Sequence, residues 1–414
     1  MLISRAEVDG RVVDVRVRGE SVTDIGELRP DGGETEIDAA GGALLPGLHD
    51  HHLHLLSMAA AATSVWCGPP QVTDVDGLAR ALRAAPGRRV RGIGYHESVA
   101  GIPDRQALDR LVADRPVRLQ HRGGALWVLN TEALLESHLL AEAEDGRLWR
   151  ADHLLRVGQY RPDLTALGRQ LAAYGVTGVT DATPNLSADV LTGLPQRLHV
   201  LGRSKILPAD HVPPDWATLH EQVTVAHAAG RPVAVHAVTR ESLALTIAVL
   251  TETGTLPGDR LEHAAVVGAD AVAPLAQLGV TVVTQPSFPV ERAAEYRRDV
   301  PESEHADLYR YASLLAAGIR VAPSSDAPFA SADPWRTIAA ASTRDLAPAE
   351  RVPARTVLAG LLSPLSDPGG PPRRVVPGVP ADLCLLRVPL TEALSTPDAE
   401  AVAVTICRGQ VVYG

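Results

Sequence analysis

Lysine occurs once among 414 residues, phenylalanine twice and cysteine three times. No apolar run approaches the ~20 residues of a membrane span. Each shortage excludes something. Cys67, Cys384 and Cys407 are too few and too scattered for a disulfide framework, and read as reduced, cytosolic thiols. Residues 1–24 alternate charged and β-branched side chains and lack the continuous apolar core of a signal peptide. A basic run is also missing, and the net charge is −10. That balance argues against nucleic acid and acidic membranes as partners. The expectation is a cytoplasmic chain acting on a small molecule, with a homodimer as the default assembly.

The single lysine carries information. Lysine and arginine together number 39, and Lys205 is the only lysine. Such a ratio reflects a bias that replaces Lys by Arg wherever either serves. A surviving lysine then marks a place where guanidinium cannot substitute.

What is present is a β-rich start, an alternating middle and a β-rich end. Arg11 to Val17 alternates, and Val22 to Ile25 makes another short strand. Asp382 to Leu386, Ala401 to Ile406 and Val411 to Tyr413 have the same texture. A Pro/Gly-rich stretch, Ser363 to Pro380, makes a boundary. These ends predict one small β-sandwich from residues 1–46 plus 366–414. The middle, 47–365, alternates short apolar runs with Ala/Leu/Arg-rich helical stretches, the pattern of βα units. The strand candidates are 43–49, 88–94, 116–121, 176–181, 198–206, 232–236, 260–263, 280–285 and 319–324. Helices are predicted at 74–84, 106–113, 164–174, 216–229 and 240–253. This is an α/β class, a (β/α)8 TIM-type barrel, with nine candidates for eight slots and one of them in an insertion. Most of 141–163 reads as loop.

Four apolar segments end in metal-ligating residue types. Ala43-Leu44-Leu45 runs into Pro46-Gly47-Leu48-His49-Asp50-His51-His52-Leu53-His54. Strand alternation puts Asp50, His52 and His54 on one side, and His49 and His51 on the other. Two imidazoles two residues apart at a strand end can reach one ion. Pro232 to His236, Arg260 to His263 and Gly318 to Asp326 follow the same plan. In a (β/α)8 barrel the strand C-termini share one face, so these residues converge there. Lys205 lies between the first His pair and His236. A buried amine near metals is pushed towards its neutral form, and a neutral amine adds CO2 to give a carbamate, an anionic ligand able to bridge two cations. Guanidinium cannot do this.

The order His52-x-His54, Lys205, His236, His263, Asp326 resembles the amidohydrolase superfamily. Gly92-Ile93-Gly94-Tyr95, Ala113 to Leu119, Leu129 to Leu134, Gly175 to Ala182 and Ser325-Asp326-Ala327-Pro328 resemble its N-substituted formamide deformylase-like branch. That branch usually has a histidine five residues before the position of Asn130; here it is Ala125, with His121 nearest. The resemblance implies that His52, His54 and Asp326 hold one Zn2+ and that His236 and His263 hold a second, with carboxylated Lys205 bridging. Mn2+ and Ni2+ suit the same donors. It implies hydrolysis of a C–N, amide-type bond by a metal-activated hydroxide, zinc lowering the pKa of its water from ~15.7 to ~7. Asp326 would relay the proton to the leaving nitrogen, and His121 and Tyr95 would donate to the oxyanion. Trp66, Trp127, Phe288 and Phe329 are candidates for an apolar substrate wall. His138, His153, His211, His220, His227 and His305 read as solvated. Three alternatives stay open: a mononuclear hydrolytic deaminase, a lactone or ester hydrolase on the same site, and a barrel that only binds a ligand. Against the deaminase, Thr239 stands where such enzymes place a glutamate.

Overall fold

The computed structural model describes residues 1–151, 154–155, 163–208 and 215–414. His153 and His211 lie outside the described residues. The chain divides into two compact units: Met1–Leu55 with Leu164–Gly414, and Leu56–Asp163.

The first unit is organised by eight parallel strands. Leu48–Leu53 pairs with Val176–Pro184, which pairs with Arg197–Gly202. After a turn the chain continues as Lys205–Ile206, which pairs with Ala234–Ala237. Arg260–His263, Thr281–Thr284 and Arg320–Pro323 follow in order. Beyond the last strand, Asp326 N–H donates to the His52 carbonyl at 2.8 Å and His54 N–H to the Ala327 carbonyl at 2.9 Å. Those bonds return the last strand to the first. Leu48–Leu53, Arg260–His263 and Thr281–Thr284 are buried at every position. Burial on both faces is what parallel strands of an α/β unit show.

Helices lie between the strands: Thr165–Ala173, Trp216–Ala228, Arg240–Thr253, Ala269–Leu278, Pro334–Thr343 and Ala354–Leu361. Their starts are written in the sequence. The Asp215 and Asp333 side chains accept backbone N–H bonds at two N-termini. Thr239 and Ser242 form a reciprocal capping box at a third. The position where a deaminase would carry glutamate is thus a helix cap.

Two four-stranded sheets complete this unit. One contains Leu2–Val8, Arg11–Arg18, Ser21–Gly26 and Glu36–Asp38; the other contains Leu44–Pro46, Leu383–Leu386, Val402–Cys407 and Gln410–Tyr413. Ile3, Val15, Val17, Leu44, Leu383, Leu385 and Ile406 share one buried cluster.

The expected strand over 43–49 is therefore two strands. Leu44–Pro46 pairs antiparallel with Leu383–Leu386, and the parallel strand starts at Leu48. Gly47 is the break between them. A Cβ there would lie 2.1 Å from the Thr177 side chain, so the second parallel strand approaches too closely for any other residue.

The second unit holds a five-stranded sheet in the order Arg147–Trp149, Leu126–Leu129, Val117–His121, Val90–Tyr95, Val65–Trp66. Segments 88–94 and 116–121 pair with each other here, so two candidates rather than one lie outside the parallel set, which still has eight strands among the described residues because the candidate 198–206 is two, Arg197–Gly202 and Lys205–Ile206. A short apolar run reports burial but not its partner, which is why one candidate too many was placed in the set. Within 141–163, read as loop, Arg147–Trp149 is a strand. Asn130 ties this sheet to its neighbours: its amide oxygen accepts from Val117 and Ala133, and its NH2 donates to the carbonyls of Val112 and Arg115.

Candidate metal centre

The C-terminal ends of the parallel strands bring His52, His54, His263 and Asp326 together. His52 Nε2 lies 3.5 Å and His54 Nε2 3.3 Å from Asp326 Oδ1, and His263 Nδ1 lies 3.8 Å from Oδ2. The rings of His52 and His54 are 5.4 Å apart, and those of His52 and His263 4.8 Å. The His236 ring lies 4.5 Å from that of His263. Ligand atoms of His52, His263 and Asp326 all fall within 4.8 Å of one another.

The backbone that aims these groups is unusual. His263 has φ 72° and Asp326 φ 56°, both in the left-handed region. That conformation costs a non-glycine residue roughly 1–2 kcal/mol. The Thr284 hydroxyl donates to the His263 carbonyl at 2.8 Å, and Asp326 N–H donates to His52, which helps hold both turns.

Each anchored ring is held through Nδ1. His52 Nδ1 bonds the Glu262 carboxylate, His54 Nδ1 lies 3.1 Å from the Thr183 hydroxyl, and His263 Nδ1 lies 2.9 Å from Gln285 Oε1. Gln285 donates onward to Ser324 at 3.0 Å. Glu262, Gln285 and Thr183 were missed in the sequence. One signal for Glu262 was available, since Arg260 and Glu262 are two charges on one face of a buried strand.

Burial lowers the His52 imidazole to about 4, assisted by the charge of Lys205, and lowers His263 well below its usual value, assisted by His236. Burial opposes ionisation of Asp326, but the neighbouring imidazoles of His54, His52 and His263 outweigh it and hold the carboxylate below its usual range. Lys205 is 7% exposed. Burial pushes its amine down to about 8, with Glu262 and Asp326 limiting the fall.

These donors fit a cation. His52 Nε2, Asp326 Oδ1 and Lys205 Nζ are buried without any hydrogen-bond partner. With the His52 proton on Nδ1, a nitrogen lone pair faces a carboxylate oxygen lone pair at 3.5 Å. Such an arrangement is costly when empty and favourable around a positive ion.

A model of the amidohydrolase family matches residues 35–199 and 208–413. The chain belongs to the amidohydrolase family. An uncharacterized metal-dependent hydrolase from Pyrococcus horikoshii is similar at 18% identity and TM-score 0.72, over 96% of this chain and 95% of that one. One from Pyrococcus furiosus is similar at 21% identity and TM-score 0.69, over 94% and 95%. N-isopropylammelide isopropylaminohydrolase from Burkholderia multivorans is similar at 16% identity and TM-score 0.52, over 99% and 97%. These likenesses indicate an α/β, TIM-barrel-like fold. No curated protein sequence matches the chain.

The remaining candidates of this amidohydrolase divide between the two units. Phe329 lies with its ring 5.7 Å from that of His54. Phe288 is buried against Tyr309 and beneath Arg292, which makes it a packing residue rather than an exposed wall. Tyr95, His121, Trp66 and Trp127 belong to the second unit. There Tyr95 is buried and its hydroxyl donates to the Gly101 carbonyl at 2.5 Å. Trp127 is buried under the Arg91 guanidinium, whereas Trp66 is 48% exposed. His121, His96 and Glu97 form a second cluster of ligand types. Gly123 N–H donates to His121 Nδ1 and Ser98 N–H to His96 Nδ1, so both protons sit on Nε2. Both Nε2 atoms face Glu97 Oε2, at 2.8 and 3.3 Å. In that pattern neither imidazole offers a lone pair to an ion.

Among the described residues no helix is long and apolar enough to cross a membrane. The three cysteines are buried free thiols, each pushed by burial up to about 12.

Proposed function

We propose that this amidohydrolase is a metal-dependent hydrolase that cleaves a C–N, amide-type bond in a small molecule. The observation that carries the reading is the pair of buried, partnerless atoms His52 Nε2 and Asp326 Oδ1, 3.5 Å apart at the strand ends, together with the buried, partnerless Lys205 Nζ on the strand beside Ala234–Ala237. His52, His54 and Asp326 would hold one divalent ion and His236 and His263 a second, with Lys205 as its carbamate between them. Zinc suits these nitrogen and oxygen donors, with Mn2+ or Ni2+ as substitutes. When bound, the metals supply activation of water and polarisation of the substrate carbonyl.

The chain's own residues do the rest. Lys205, with its amine lowered to about 8, has an appreciable neutral fraction at neutral pH, which is the form that adds CO2. Asp326 is held as a carboxylate, ready to accept a proton from the attacking water and return it to the leaving nitrogen. Phe329 beside His54 offers an apolar surface to the substrate. His121 and Tyr95 remain proposals as oxyanion donors, and Trp66 and Trp127 as substrate contacts. The domain reading is a catalytic body over 47–365 with a sandwich of 1–46 plus 366–414, and unit Leu56–Asp163 inserted after the first parallel strand. The names of the similar structures, metal-dependent hydrolases and an aminohydrolase, support the reaction class.

The test is metal content by mass spectrometry together with a screen of N-formyl and N-acyl compounds. Two zinc equivalents with release of amine support the reading. One equivalent favours a mononuclear deaminase, and none favours a binding protein. Hydrolysis of lactones or esters with amides untouched would move the assignment to C–O bonds.

A further inference from the structure

We propose that Glu262 is a positioning residue that fixes which nitrogen of His52 is offered to the metal; this rests on the metalloenzyme reading above. Glu262 is fully buried. Its carboxylate meets three donors. Arg260 Nε bonds Oε1, Arg260 Nη2 bonds Oε2 at 3.1 Å, and His52 Nδ1 also bonds Oε2. Arg260 is buried too, and Nη2 donates in addition to the His51 carbonyl at 2.7 Å. The guanidinium is therefore held from two sides and cannot swing away from Glu262.

A guanidinium stays charged, and the carboxylate paired with it can only accept. His52 Nδ1 must then carry the ring proton, and Nε2 keeps its lone pair. That Nε2 is the buried atom without a partner, 3.5 Å from Asp326. The other two anchored rings have uncharged partners. A threonine hydroxyl such as Thr183 can donate or accept, and Gln285 accepts from His263 through a neutral amide turned by its own bond to Ser324. Of the three anchors, Glu262 alone is a charged acceptor fixed in turn by a buried cation. The ion held by His52, His54 and Asp326 should therefore depend on Glu262 more than the ion at His236 and His263. Outer partners of ligating histidines typically contribute 10–100-fold to metal affinity.

Two measurements test this. Long-range 15N correlation spectra of the metal-free wild-type protein read the His52 tautomer directly. The proton on Nδ1 is expected; a proton on Nε2 would overturn the proposal. Calorimetric zinc titration of metal-free Glu262→Gln should show one of two equivalents weakened about 10–100-fold, with the other unchanged. Because that variant strands a buried arginine, Arg260→Met with Glu262→Leu, which removes both charges, is titrated beside it and should show the same selective loss. Variants that bind both equivalents as tightly as wild type would refute the role of Glu262 alone. A wild type that takes up no zinc would refute the metalloenzyme reading and this inference with it, so the two failures are distinguishable.

Discussion

In the proposed chemistry Lys205 is the decisive residue. Arginine keeps charge and length but cannot form a carbamate, and its larger head would enter a site where Nζ is already fully enclosed. Lys205→Arg should lose one metal equivalent and lower turnover by more than about 100-fold, while near-UV dichroism stays native. A Lys205→Arg enzyme of wild-type activity would exclude the bridge. Much of this cluster was legible in the sequence. His52, His54, His263 and Asp326 were found because each ends an apolar run, and strand alternation assigned His49 and His51 to the opposite side. The structure puts both against Ser363, His49 on its carbonyl at 2.9 Å and His51 on its hydroxyl at 3.0 Å. Gln285 and Thr183 were not legible, and the paired charges of Arg260 and Glu262 marked Glu262 without showing its partner. Their importance lies in contacts across strands, and no local pattern shows that a carboxylate orients a histidine 210 positions away.

At the scale of elements, boundaries depend on close approaches that composition does not announce. Gly47 separates a strand of the terminal sheet from a strand of the parallel set because Thr177 occupies the space of any side chain. Gly47→Ala should destabilise the protein by about 1–3 kcal/mol, the usual cost of overpacking, read as a lower urea midpoint at unchanged slope. Pairing it with Thr177→Ala should recover part of that loss. The cap of Arg240–Thr253 gives a second check. Thr239→Ala removes the side-chain acceptor of the capping box and should cost about 1 kcal/mol. It should leave metal content unchanged, since this position serves the helix. The helices were read well from sequence because caps and periodicity are local. Strands 90–95 and 117–121 were misassigned because sheet membership is a non-local choice.

At the scale of the molecule, buried histidines set a pH limit. His51 falls to about 3 and His52 to about 4, and His49 and His263 are lowered in the same direction, burial being the first cause in each. Below the ordinary value near 6.5 the unfolded chain binds protons that the folded chain does not. Stability contributed by these groups is complete above 6.5 and is lost as pH falls towards 4. Asp50, raised by burial to about 6, acts the opposite way and offsets part of the loss. The melting temperature of the metal-free protein should drop steeply between pH 6.5 and 4. A flat profile over that window would mean that the four rings are solvated.

The most direct measurement is a crystal structure with data collected on both sides of the zinc absorption edge. The account predicts anomalous density about 2.0–2.2 Å from nitrogens of His52 and His54 and from the Asp326 carboxylate. It predicts a second peak at His236 and His263, with extra density joined to the Lys205 amine between them. Anomalous density confined to other residues, or an unmodified Lys205 amine beside a single ion, would contradict it.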